Sequence, residues 1–153
     1  MTAQVRVSEN DFSVDIENQR LLKLSNGIGA IANFVGVVRD NATENALKSM
    51  ELEHYPGMTE RSIQDVVQRA GQRWSLLGIS VIHRIGRLSP GDQIVYVGVA
   101  SAHRQSAFDG CGFIMDYLKT EAPFWKKETL DSGESYWVSA RDDDQHAVQK
   151  WQS

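Results

Sequence analysis

The chain is predicted to fold as an α+β protein, and three observations carry that reading. Strand-like segments come in neighbouring pairs with short connections, which favours antiparallel pairing. Two long segments, 58–73 and 103–120, read instead as helices. A last hairpin is signalled by the turn residues DSGE at 131–134.

Taken in order, residues 5–7 read as a short strand. Residues 14–24 read as a short helix with Ile16, Leu21 and Leu22 on its apolar side. In GIGAIANFVGVVR, 27–39, Ile28, Ala30, Ala32, Phe34 and Val38 alternate with Ile31, Val35 and Val37. Both faces are apolar, so a central strand covered on both sides is expected. It ends at Arg39, before the loop DNATEN. Residues 47–54 alternate Met50 and Leu52 with Glu51 and Glu53, a strand with one wet face, and Pro56–Gly57 breaks it. Ile63, Val66, Val67, Ala70 and Trp74 lie at helical spacing, so 58–73 is an amphipathic helix. Strands at 78–85 and 93–100 are joined through SPGD, a strong turn signal. Pro123 stops the long helix, 103–120. Strands 124–129 and 135–139 flank the DSGE turn, and 142–151 forms a last helix capped by Asp142, Asp143 or Asp144.

At 153 residues one domain, 1–153, is expected, with no linker, repeat or low-complexity segment. Four Trp and five Phe supply more apolar surface than a disordered chain carries. No apolar run approaches the roughly 20 residues of a membrane span. The start, MTAQVRVSENDF, lacks the basic and apolar regions of a secretory signal. The single cysteine excludes an internal disulfide and fits a reducing cytoplasm. A net charge of −4 and a pI near 5.5 argue against a broad nucleic-acid-binding face.

Against that acidic background, residues 101–128 concentrate positive charge. His103 and Arg104 stand at a helix start, Lys119 near its end, and Lys126 and Lys127 on the next strand. A cation at a helix N-terminus is disfavoured by about 0.3–1 kcal/mol, a placement that makes sense if an anion binds there. Fifteen residues from Arg104 to Lys119 correspond to roughly 22 Å of helix. One small substrate cannot touch both ends. Either the ends serve different purposes, or a second copy brings its His103 and Arg104 to the Lys119 end. Gly110 and Gly112 each cost up to about 1 kcal/mol in a helix interior. Close packing against another backbone or a local kink would account for them.

Lys126 and Lys127 point to opposite faces of a strand, so only one lines a given pocket. A lysine beside aromatic side chains in a partly dry pocket can serve as acid or base. Arg39 ends a buried strand; taken alone it reads as structural. His54, His83 and His146 lack metal-ligand spacing, and no HExxH or CxxC occurs, so neither metal nor cofactor is expected. Cys111, among Phe108, Ile114 and Met115, reads as core. There is no P-loop, and GIGAIANF lacks dinucleotide-fingerprint spacing. The residues alone point to a small anionic substrate, such as a phosphate ester, held by Arg and His with lysines for proton transfer or charge stabilisation.

FVGVVRDN (34–41), LEHYPGM (52–58), VIHRIGRLSPGDQIVYVGVASAHRQSAF (81–108) and FIMDYLKTEAPFWKKE (113–128) together resemble the MoaE family, the large, catalytic subunits of molybdopterin synthase. SAHR followed by YLKTEAPFWKKE is the most specific part. The first 25 residues and those after 141 carry little of the resemblance. It implies an α/β hammerhead with an additional antiparallel β-sheet. It implies a sulfurtransferase that converts cyclic pyranopterin monophosphate to molybdopterin, in molybdenum cofactor biosynthesis. Two sulfurs come from the C-terminal Gly-Gly thiocarboxylate of a small ubiquitin-like partner subunit. A homodimer of large subunits within a heterotetramer is implied, with a pocket drawing on both large subunits.

Carried over by position, the resemblance implies substrate contacts at Val37, Val38, Arg39, His103, Arg104, Lys119, Lys126, Lys127 and Glu128, and less firmly at Arg141. Lys119 and Lys126 are implied as catalytic. Two other classes are compatible with the residues. One is a phosphate-ester enzyme that needs no partner and uses His103 as acid or base. The other is a non-catalytic module that docks a ubiquitin-like tail.

Overall fold

The computed structural model describes residues 1–40, 46–138 and 142–152. The elements are β1 (Thr2–Ser8), α1 (Val14–Leu22), β2 (Ala30–Val37), β3 (Leu47–His54), α2 (Met58–Arg73), β4 (Gly78–Arg84), β5 (Gly86–Leu88), β6 (Gln93–Ser101), α3 (Arg104–Glu121), β7 (Phe124–Leu130), β8 (Ser135–Val138) and α4 (Asp142–Gln149). The predicted loop 41–45, residue 139 and Arg141 lie outside the described residues, as do the side chains of Asp142 and Asp143.

The strands form two four-stranded sheets, ordered β1-β4-β6-β2 and β5-β3-β7-β8. The α+β class is as expected, and the second sheet is wholly antiparallel. Neighbouring strands in sequence are not always partners. β2 and β3 enter different sheets, and β1 pairs with β4 in parallel, Val5 against Val81. Pairings so distant in sequence leave no local turn signal.

Alternation along β4 and β6 divides the first sheet into two faces. Ile79, Val81, Val95, Val97 and Val99 pack against Ile63, Val66, Val67 and Ala70 of α2 and against Ala107, Phe113, Ile114 and Leu118 of α3. On the opposite face Ile82 and Tyr96 pack with Phe12. α1 covers this side through Leu21, whereas Ile16 and Leu22 are half exposed. The apolar side expected for α1 is therefore too broad; Glu17, buried and paired with Arg20 at 2.9 Å, takes part of it. The second sheet has its own cluster, Val38, Leu47, Met50, Leu52 and Leu88. Ile94 packs against both clusters and so marks where the sheets meet.

β2 is not a central strand. It pairs with β6 alone and forms an edge, with Phe34 and Val37 41% and 49% exposed. Its doubly apolar sequence does not come from burial between two strands. One part packs under α3 and another lines the cavity described below.

Two contacts fix elements near that cavity. Thr59 is fully buried; its Oγ1 donates to the Pro123 carbonyl at 2.9 Å and accepts from the Tyr55 amide at 2.9 Å. This ties the start of α2 to the turn between α3 and β7. At the far end, Trp151 Nε1 donates to Asp116 Oδ2 at 2.7 Å, and its ring packs edge-on to Trp74 and Phe113. The last helix is thereby fastened to α3.

The atoms nearest the glycines of α3 belong to side chains rather than to another backbone. A Cβ on Gly110 would come within 3.2 Å of Leu76 Cδ1 and Val99 Cγ1, so it seats the helix against side chains rather than another backbone. At Gly112 the nearest atom, in Trp151, would be an ordinary 3.6 Å away. The tighter constraint is at Gly98 on β6. A Cβ there would lie 2.2 Å from Tyr96 Oη and 2.8 Å from Leu21 Cδ1. That hydroxyl is buried and donates to Asn18 Oδ1 at 2.7 Å, so it cannot move aside cheaply. Gly98→Ala is expected to destabilise the fold by about 3 kcal/mol through overpacking, measured by urea unfolding. An unchanged midpoint would show that the Tyr96 layer is softer than its packing implies.

Candidate active site

A cavity of about 590 Å³ opens where the two sheets meet the C-terminal half of α3. Its size suits a small organic ligand. β2 contributes Phe34 to Val37, and β4 ends in it at His83. Met50 and Leu52 come from β3, Phe124 and Lys126 from β7, and Val138 from β8. Met115, Leu118 and Lys119 project from α3, and Asp144 approaches from α4. Apolar side chains are the more numerous in the lining, polar atoms share its surface about equally with them, and the two lysines supply its positive charge.

Each lysine is placed by its element. Lys119 lies in the last turn of α3, where the helix dipole favours a cation. Lys126 shares a strand face with Phe124 and Glu128, and its Nζ is 3.9 Å from Glu128 Oε1. Glu128 also accepts from Tyr136 Oη at 2.8 Å, so this carboxylate is anchored beside the pocket. Lys127 faces the other way, with its ammonium 5.9 Å from the Trp137 ring centre. The expected division of the two lysines between opposite faces is thus observed.

The remaining predicted residues are elsewhere. His103 caps α3 and Arg104 begins it; both are exposed, and neither lines this cavity. The first turn of α3 carries no acidic residue, so its amide groups face no carboxylate of their own helix. Val37 lines the cavity at the end of β2. Val38 is buried in the second cluster, with its backbone bonded to the 89–92 turn through Asp92 and Gly91. Arg39 follows, exposed. The helix therefore keeps its two charged ends apart within one chain, as its length requires.

His83 was not singled out as functional by the sequence, because an isolated histidine has no spacing signature. Its ring stacks on Phe124 at 3.8 Å and 18°. Its Nδ1 lies 2.7 Å from the Arg84 carbonyl. Burial pushes the imidazole down to about 4, and the charges of Lys119 and His54 act in the same direction. Cys111 is buried, bonds weakly to the Val97 carbonyl, and burial pushes its thiol up to about 11. Those are the properties of a core thiol rather than a nucleophile. Among the described residues no cluster of three His, Cys, Asp or Glu could hold a metal ion. No helix there is long and apolar enough to cross a membrane.

The MoaE protein family matches residues 7–121 of this chain. The chain belongs to that family. It is 52% identical over 148 residues to the molybdopterin synthase catalytic subunit of Pseudomonas aeruginosa, covering 97% of this chain and 98% of that protein. The solved structure of the molybdopterin biosynthesis MoaE protein from Burkholderia ambifaria superposes with a TM-score of 0.85 at 46% identity, over 99% of each chain. A second solved structure, described as the complex of subunits 1 and 2 of molybdopterin-converting factor from Helicobacter pylori, reaches a TM-score of 0.71 over 91% of each chain. At 15% identity it bears on the fold alone. The expectation of an enzyme, a molybdopterin synthase catalytic subunit, is met.

The low pKa of His83 makes a stability prediction. Between about 4 and 6.5 the unfolded chain binds a proton at this residue that the folded chain does not, so stability falls as pH falls through that window. The loss reaches up to about 3 kcal/mol at the acid end. Unfolding curves from pH 7 to pH 4 should show this slope, and His83→Gln should flatten it.

Proposed function

We propose that the cavity is the sulfur-transfer pocket of a molybdopterin synthase, and that each pocket is completed by a second copy of the chain. The substrate is cyclic pyranopterin monophosphate. The sulfur donor is the C-terminal thiocarboxylate of a small ubiquitin-like subunit, and the assembly is a heterotetramer around a dimer of this chain. The work is placed in the cytoplasm. The observation that carries the reading is the convergence of Lys119 and Lys126 in one cavity, in a chain whose relatives are named as catalytic subunits.

In this scheme His103, Arg104 and Arg39 hold the phosphate. Arginine suits it because its fork matches phosphate oxygens, and the amides at the start of α3 favour an anion. Lys119 faces the carbonyl oxygen of the thiocarboxylate. The sulfur displaces an oxygen from the pterin side chain, joining pterin and small subunit as a thioester. Water then adds to the thioester carbonyl, negative charge grows on its oxygen, and C–S cleavage leaves the sulfur on the pterin and a carboxylate on the small subunit. An ammonium held among apolar side chains stabilises that charge better than one in water. Lys126, fixed by Glu128, assists beside it. Val37 contributes an apolar contact at the cavity, while Val38 sets the strand end on which Arg39 follows. Lys127 and Arg141 remain candidate contacts. The half-exposed Phe34 and Val37 on the outer strand β2 support association with a second copy.

Lys119→Ala should abolish sulfur transfer while leaving affinity for the small subunit nearly unchanged, as read by dithiolene formation and by titration calorimetry. Wild-type turnover in that variant would sink the role. Arg104→Ala should chiefly raise KM. The composite site has a sharper consequence. When Arg104→Ala and Lys119→Ala chains are mixed and re-dimerised, roughly a quarter of the sites are intact by statistics, so roughly a quarter of wild-type kcat/KM should return. A site built within one chain would give no such recovery.

A further inference from the structure

The ring of His83 is fixed in plane by Phe124 and in tautomer by Arg84. A carbonyl only accepts, so Nδ1 carries the hydrogen and donates it at 2.7 Å. In the neutral ring Nε2 then holds a lone pair. Among the described residues no hydrogen bond engages Nε2. The ring forms part of the cavity wall. Lys119 from α3 and His54 from β3 act on it electrostatically, and Lys126 from β7 and Asp144 from α4 share the cavity. A second cationic ring beside Lys119 is thereby disfavoured, and a neutral one is maintained.

We propose that His83 is a positioning residue for sulfur transfer, its Nε2, unengaged in the free chain, accepting a hydrogen bond from the Lys119 ammonium when substrate is bound and holding that amine toward the reacting carbonyl. The inference rests on the role given to Lys119 above. A carboxylate in this place would orient the amine too, but it would also cancel the charge on which oxyanion stabilisation depends. A neutral imidazole orients the amine and leaves its charge available.

The test uses the assembled enzyme with cyclic pyranopterin monophosphate and thiocarboxylated small subunit. His83→Phe keeps a flat ring to stack on Phe124 and removes both nitrogens. It should lower kcat about 10- to 100-fold while KM changes less than about twofold, the signature of lost orientation rather than lost binding. His83→Gln can bring an amide oxygen near the Nε2 position and should recover part of kcat. His83→Asn reaches only the Nδ1 position and should not. Wild-type kcat in the Phe variant would overturn the proposal. If the Phe variant fails to fold, equal kcat in the Gln and Asn variants would do the same. Nitrogen NMR of the labelled imidazole in the unreacted wild type should show the neutral Nδ1–H form at pH 7. An imidazolium or the Nε2–H tautomer would refute the assignment. A wild type that makes no dithiolene at all would remove the functional reading instead, and the spectrum separates the two failures because it requires no turnover.

Discussion

A helix of 18 residues cannot bring its own ends together, and α3 packs against the first sheet through Ala107, Gly110, Ile114 and Leu118. That seating distributes the chemistry of the molecule. The C-terminal end of α3 delivers Lys119 to the junction of the sheets. The N-terminal end leaves His103 and Arg104 on the surface at a helix start without acidic neighbours. In the proposed scheme a ligand held by His103 and Arg104 and reacting at Lys119 receives them from different chains, because the length of α3 keeps them apart within one.

The junction of the sheets is the second element of the design. The cavity draws on both apolar clusters, and Ile94 links the two. β7 enters the second sheet directly after the α3 turn, and the Thr59 hydroxyl fixes that turn from α2. Phe124 and Lys126 therefore stand at a set distance from the end of α3. Precision at the pocket comes from rigid elements meeting, with few loops intervening, which suits chemistry that depends on placed charges.

Much of this was legible in the sequence, and the exceptions have physical reasons. Local signals worked where structure is local: α2 and β3 have the expected bounds, and the turns at 89–92 and 131–134 join the strands on either side of them. The parallel pairing of β1 with β4 was invisible because it joins residues more than seventy positions apart. The three-residue β5 is too short to show a period. β2 was misplaced because apolar residues that line a cavity have the same pattern as residues buried between sheets. At the site, charge density pointed to Lys119 and Lys126, and helix length separated them from Arg104. His83 carries no charge and no motif. Only its tertiary partners, Phe124, Lys119 and the Arg84 carbonyl, mark it out.

For an acidic protein, the two anions of the proposed reaction pose a problem of range. With a net charge of −4, repulsion of a phosphate ester extends through solvent only about 8 Å at physiological salt. Inside the cavity screening is far weaker, so the lysines outweigh the distant carboxylates once a ligand has entered. Glu128 moderates this at close range, since its bond to Tyr136 keeps it beside Lys126. His83 adds polarity without charge. In the proposed reaction the pocket thus holds positive charge where anionic groups react, so that capture depends on shape and short-range contact instead of a general attraction for anions.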